Sequence, residues 1–204
     1  MKGARSFLKT YLGRINTYTT EKRVQVALPW VKGDVLDIGC GAACLAHSIS
    51  KGQRYVGIDV NEEKVHLLKR KYINHPDYEF CCIDVDEDIA TDLPSFNSAF
   101  DTISLLAVIE HLRNPESLLN HLHRLLKDEG RLLITTPTSV GDKIGSFIST
   151  TTLGMKDLHY PHVRLYNRAS LTTIAEECGF PVLCYRGFEF GMNQLLVCSK
   201  SPGK

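Results

Sequence analysis

The chain predicts an α/β fold: an open, doubly wound sheet of mostly parallel strands with helices on both faces. Three observations carry this. Val35-Leu36-Asp37-Ile38 is an apolar run that closes on Gly39-Cys40-Gly41, and small residues after it open a helical pattern. That is a buried parallel strand, a tight turn and a helix start. Tyr55-Val56-Gly57-Ile58-Asp59 reads as a second strand ending on an acid, 20 residues past Gly39. Strand and helix patterns then alternate along the chain, as a parallel sheet requires.

Each element has a local reason. Residues 1–33 carry seven cations (Lys2, Arg5, Lys9, Arg14, Lys22, Arg23, Lys32) against one acid, Glu21. Phe7, Leu8, Tyr11, Leu12 and Ile15 have helical spacing, so this segment reads as an N-terminal helical cap with a basic outer face. Pro29, Gly33 and Asp34 end it, and the main domain is expected over 34–204. Cys44 to Ser50 reads as the first helix after the glycine turn. Asn61 caps a helix from Glu62 to Tyr72, with Glu62 and Glu63 in its first turn. Pro76 and Asp77 break it, and Tyr78 to Ile83 forms a third strand. Asp84, Asp86, Glu87 and Asp88 follow, the last three read as surface acids. Phe100 to Leu112 is a fourth strand feeding a loop. Asn114-Pro115 starts a helix running to Lys127, with leucines at 118, 119, 122, 125 and 126 and Gly130 at the C′ position. Arg131 to Pro137 is a fifth strand. Residues 138–166 are too long for an ordinary connection and follow a strand's carboxyl end, where open α/β sheets place ligands. They are read as an acceptor-binding insert, with Met155, Leu158, His159, Tyr160, His162, Arg164 and Tyr166 supplying its chemistry. Leu171 to Cys178, stopped by Gly179, is the last helix, and Val182–Arg186 and Gln194–Ser199 are the last strands.

Composition narrows the partners. The 204 residues are 43% hydrophobic with formal net charge +1. That suits one domain with a real core and leaves no electrostatic footprint for nucleic acid. No run is apolar and long enough to make an integral membrane segment, and the first residues lack the apolar core of a signal peptide. Seven cysteines, none in C-x-x-C spacing, read as reduced thiols in small core positions of a cytoplasmic protein.

The glycine turn selects the cofactor. Glycine at 39 and 41 turns the chain sharply and lets a ligand approach with no Cβ in the way, and the free N–H groups of the following helical turn would face it. An acid about 20 residues on, Asp59, accepts hydrogen bonds from both ribose hydroxyls. Asp37 stands two residues before the first glycine; it offers nothing to a pyrophosphate but suits a cationic amino-acid end. This stretch resembles motif I of the class I S-adenosylmethionine-dependent methyltransferases, D/E-x-G-x-G-x-G, with Ala43 in the place of the third glycine. The resemblance extends to Phe100-Asp101 through Glu110-His111-Leu112, to the leucine-rich helix, to Leu132-Leu133-Ile134-Thr135-Thr136-Pro137, and to His162-x-Arg164-x-Tyr166. Glu129 replaces the first glycine of the family's turn before the fifth strand.

That resemblance implies a Rossmann-like sheet of about seven strands, the last antiparallel, with S-adenosyl-L-methionine as cofactor. Asp37 with the backbone of Gly39, Cys40 and Gly41 would hold its amino-acid end. Asp59 and Val60 would hold the ribose, Asp84 and Val85 the adenine, and Leu106 the region of the methyl. His111, His162 and His159 are the candidate catalytic residues, each able to activate an acceptor hydroxyl. Related quinone O-methyltransferases hold a divalent metal through E-x-x-E-H; here Ala107 stands where the first Glu would be. His159 and His162 fit a metal on paper but have no evident third ligand, and no metal is assigned. The acceptor is expected to be a small molecule or carrier-linked intermediate. A cofactor-binding protein without catalysis and, less favoured because of Cys44, a nicotinamide-dependent oxidoreductase are the alternatives.

Overall fold

The computed structural model describes residues 17–50, 52–87, 100–142 and 162–201. The helical spacing at Phe7–Ile15, together with Asp88, Met155, Leu158, His159 and Tyr160, lies outside them. Helix α1 covers residues 17–27. Strands β1 (Val35–Ile38), β2 (Tyr55–Asp59), β3 (Tyr78–Cys82), β4 (Phe100–Leu106), β5 (Leu126–Pro137), β6 (Val182–Phe188) and β7 (Asn193–Ser199) form one sheet. Its order is β3-β2-β1-β4-β5-β7-β6. β7 pairs antiparallel with both β5 and β6, and every other pairing is parallel. Helices α2 (Glu62–Lys71), α3 (Pro115–Leu125) and α4 (Arg168–Glu177) join them, and residues 139–142 are also helical. None of the described helices is long and apolar enough to cross a membrane.

Strand alternation sorts the core into two faces. Leu36, Ile38, Val56, Ile58, Ile103, Leu105, Leu132 and Ile134 join Leu118, Leu119, Leu122 and Leu125 of α3 and Leu171, Ile174 and Ala175 of α4. Val35, Tyr55 and Phe80 point the other way, to Val65 and Leu68 of α2. Leu133, Leu195 and Val197 meet Ala27 at the end of α1. The sheet is therefore covered on both sides, as the apolar strands required.

Caps behave as their chemistry dictates. The Asn61 side chain accepts from Lys64 N–H, Asn114 from Ser117 N–H, and Asn167 forms a reciprocal capping box with Ser170. Four expectations change. The helix expected over 44–50 is a four-residue 3₁₀ turn, Leu45–Ser48. Ala43 at φ 53° holds the chain left-handed until Cys44, so no α-helical N-terminus points at the glycine turn. α3 ends at Leu125, because Leu126 already adopts extended geometry and pairs with Phe100. The left-handed residue before the β5 pairing is Glu129, φ 60°, not Gly130. Finally, Cys82 is exposed rather than a core thiol, whereas Cys40, Cys178 and Cys198 are buried.

Candidate active site

The strand order reverses beside β1, whose neighbours are β2 and β4. Open sheets bind ligands outside the carboxyl ends of strands at such a switch point. Asp37, Asp59, Asp84 and Leu106, the last residue of β4, all fall at or beside that edge.

β1 delivers the turn. Gly39, Gly41 and Ala43 take φ values of 67°, 55° and 53° in alternation. A Cβ on Gly39 would lie 2.4 Å from Val108 Cγ2, whereas one on Gly41 would meet only the Gly39 carbonyl at 3.9 Å. Glycine at 39 is thus demanded by packing and at 41 by backbone geometry, and the outer side of the turn is open.

Asp37 is 3% exposed, on the α2 side of the sheet. Its Oδ1 accepts from the Ser104 hydroxyl at 2.6 Å and its Oδ2 from the Tyr55 hydroxyl at 2.7 Å. Burial pushes its pKa up to about 6 against these two donors, and the nearby Asp59 adds to the rise. Register places Ser104 directly beside Asp37. A serine between Ile103 and Leu105 inside β4 was the sequence signal for this contact. Asp37 is buried, so it acts on anything in the crevice through its charge rather than by direct contact.

Asp59 bridges two turns. Its Oδ2 accepts from Gly41 N–H at 2.8 Å and its Oδ1 from Asn61 N–H at 2.9 Å. A carboxylate oxygen has two lone-pair sites, so one on each oxygen is left for a ribose hydroxyl. Val60 beside it is 51% exposed, an apolar side chain at a polar edge. Asp84 is half-buried, and its Oδ1 takes Asp86 N–H at 2.9 Å. These features fit an adenosyl group: two carboxylates with spare acceptor sites, an exposed apolar residue next to Asp59, and an open glycine turn. Asp86 is not a surface acid. Its side chain, 13% exposed, pairs with Arg113 and accepts from the N–H groups of Arg113 and Asn114. Those bonds outweigh burial and lower its pKa, and they tie the segment after β3 to the loop after β4.

The loop after β4 supplies the second half of the site. Ala107, at φ 62°, donates its N–H to the Thr135 carbonyl at 2.9 Å. A 3₁₀ turn, Ile109–His111, then buries Glu110 to 1% exposure. Burial raises the Glu110 pKa, opposed by the charge of Arg23 and the nearby Thr136 hydroxyl. Glu110 Oε2, Arg23 Nε, Thr136 Oγ1 and the Tyr166 hydroxyl are buried with no hydrogen-bond partner among the described residues. Val163 and Arg164 donate their N–H groups to the Glu110 carbonyl at 2.8 and 3.1 Å. This brings the His162 ring to 5.0 Å from that of His111. Glu110, His111 and His162 each place a donor atom within 4.8 Å of the others. His162 Nδ1 is already taken by Asp142 Oδ1 at 2.5 Å.

The structure therefore brings His111 and His162 together, while His159 lies outside the described residues. Sequence reading missed Asp142, Arg23, Tyr55 and Ser104. Arg23 reaches from α1 to Asn193 Oδ1 at 3.3 Å across 170 residues, a distance no local pattern encodes. A groove of ≈ 530 Å³ along α2, lined by Glu62, His66, Lys69 and Cys82 among others, includes none of the predicted cofactor residues.

Comparison with known proteins identifies the family and fold. A model of the methyltransferase domain family matches residues 12–185. The ubiquinone biosynthesis O-methyltransferase of Dechloromonas aromatica (strain RCB) is 32% identical over 108 residues, 50% of this chain and 43% of that protein. That of Paracidovorax citrulli (strain AAC00-1) is 28% identical over 180 residues, 80% of this chain and 72% of that protein. The chain thus spans less than half the length of the Dechloromonas relative. Among solved structures, a chain of the Haloferax volcanii complex between the Trm112 methyltransferase activator and a putative methyltransferase superposes with TM-score 0.70 at 16% identity. The match covers 91% of this chain and 90% of that one. With the glycine turn, the three carboxylates at the carboxyl edge and the single antiparallel β7 in place, the chain belongs to the methyltransferase-domain family and carries its Rossmann-like, S-adenosylmethionine-dependent fold.

Proposed function

We propose that this protein transfers a methyl group from S-adenosylmethionine to a hydroxyl of a small-molecule acceptor in the cytoplasm. The carrying observation is the carboxyl edge itself, where Asp37, Asp59 and Asp84 stand on one side of the switch point and His111 and His162 on the other. Similarity to the ubiquinone biosynthesis O-methyltransferases supports an oxygen acceptor. S-adenosylmethionine, when bound, supplies an electrophilic methyl on a sulfonium. Asp37 contributes negative charge behind the turn toward the amino-acid end, and the backbone of Gly39, Cys40 and Gly41 shapes its seat. Asp59 and Val60 hold the ribose, Asp84 and Val85 the adenine, and Leu106 borders the methyl. The protein's main work is to hold acceptor and methyl in line at reacting distance. A neutral sulfide leaves, so no oxyanion site is needed. Residues 1–33 act as a cap, and the Arg23–Asn193 contact supports that reading. The acceptor enters beside residues 138–166.

Calorimetric titration with S-adenosylhomocysteine tests the cofactor site. Asp59→Ala is expected to weaken binding about 10- to 100-fold, the worth of hydrogen bonds to a charged group, and NADH is expected not to bind. Equal affinity in both proteins would remove Asp59 from the ribose role.

A further inference from the structure

We infer that Asp142 is a positioning residue that fixes His162 as the base for the acceptor hydroxyl; this rests on the methyl-transfer reading above. Asp142 lies 20 residues before His162, and the two side chains meet at 2.5 Å through Oδ1 and Nδ1. Each partner is anchored independently. Asp142 donates its N–H to the Thr138 carbonyl at 2.8 Å, and Thr138 donates its own N–H to the Met192 carbonyl at 2.9 Å. The Thr138 hydroxyl donates to the Gly191 carbonyl at 2.7 Å. A Cβ on Gly141 would sit 2.0 Å from the Met192 carbonyl oxygen, so this turn is pressed against the β6–β7 connection. His162 instead hangs from the loop after β4, through the Val163 and Arg164 bonds to the Glu110 carbonyl. The Arg164–Glu116 pair at 2.9 Å ties it to α3. The contact therefore joins the ends of β4 and β5 across the acceptor side of the crevice.

A carboxylate on Nδ1 holds the proton there and leaves the Nε2 lone pair as the proton acceptor. The charged and titratable groups beside His162 are Asp142 from after β5 and Glu110 and His111 from after β4, while Arg164 on its own segment pairs with Glu116. In the step so arranged, the acceptor O–H proton passes to Nε2 and the oxygen pair forms the bond to the methyl carbon. The carbon–sulfur bond breaks onto sulfur. The imidazolium is stabilised by Asp142 and returns its proton to solvent. S-adenosylhomocysteine, the methyl ether and one proton result.

Two measurements on the full chain test this. Long-range ¹H–¹⁵N NMR of the S-adenosylhomocysteine complex at pH 8 should show His162 with its proton on Nδ1. Asp142→Asn should move a large share to Nε2, and Asp142→Glu should restore the first form. A His162 proton on Nε2 in the unsubstituted protein, or a tautomer indifferent to Asp142→Asn, would overturn the assignment. Methyl transfer is then followed with phenol and with 4-nitrophenol, which is already ionised at pH 8. Asp142→Asn should slow transfer to phenol about 100-fold, within the range of general-base effects, and transfer to 4-nitrophenol by only a few-fold. Equal losses on both would make Asp142 merely structural. Loss of transfer on chelation, restored by Mg²⁺, would also overturn the assignment. Failure of the unsubstituted protein to bind S-adenosylhomocysteine would instead sink the methyl-transfer reading, a result the NMR of free protein separates from the state of His162.

Discussion

Asp37 shows how one residue serves fold and site at odds. Its carboxyl, ordinarily near 3.8, is pushed to about 6 chiefly by burial, with Ser104 and Tyr55 holding the charged form. The native state therefore binds this proton more tightly than the unfolded chain does. Its contribution to stability is greatest below about pH 4 and is lost as pH rises toward about 6, on the order of 3 kcal/mol. Ligand binding has the opposite sign, because a cationic amino-acid end needs the carboxylate. S-adenosylhomocysteine affinity is expected to fall as pH drops below about 6, and calorimetry across pH 5 to 8 should show the slope vanish in Asp37→Asn. Glu129 is the second case. It holds φ 60° while its carbonyl accepts from Lys32 Nζ at 2.7 Å. That backbone is costly for a residue with a Cβ and free for glycine. Glu129→Gly should raise stability by about 0.5–1 kcal/mol, read in urea unfolding, despite the extra freedom it gives the unfolded chain.

At the scale of elements, β1 and its turn are specified by neighbours as much as by their own residues. Val108, from the loop after β4, leaves no room at Gly39. Gly39→Ala should lower both stability and S-adenosylhomocysteine affinity, the latter about 10-fold or more. Val108→Ala in the same chain should recover part of the stability by opening the space. The remainder is the strain of alanine at φ 67°, and no recovery at all would mean that strain alone sets the loss. α3 and α2 need no such help: their leucine and valine spacing, asparagine caps and, in α3, Pro115 agree with one another. The stretch after Gly41 failed as a helix because small residues with a plausible period say nothing about φ. Ala43 and Gly41 both stand left-handed, a geometry a hydropathy pattern does not report.

For the whole molecule, polar groups gather at the carboxyl edge while both sheet faces are apolar. Ligand binding there should stabilise the entire chain by linkage. At 100 times its Kd, S-adenosylhomocysteine should add about 2.7 kcal/mol, a rise of roughly 5–10 °C in Tm by scanning calorimetry. NADH at equal concentration should leave Tm unchanged. A shift with NADH instead would favour an oxidoreductase.

The linear order of residues determined the strand and helix sequence, the glycine turn, and the acids at 37, 59 and 84, since short-range periodicity and φ preference are local properties of the chain. It also determined, through the density of matched motifs, the family. Only the tertiary structure decided that Ser104 and Tyr55 occupy both oxygens of Asp37, that Asp86 ties two loops, and that Asp142 and His162 meet. Those contacts link residues 18 to 67 positions apart. Long-range closure depends on how the sheet is assembled, which no single stretch of sequence contains.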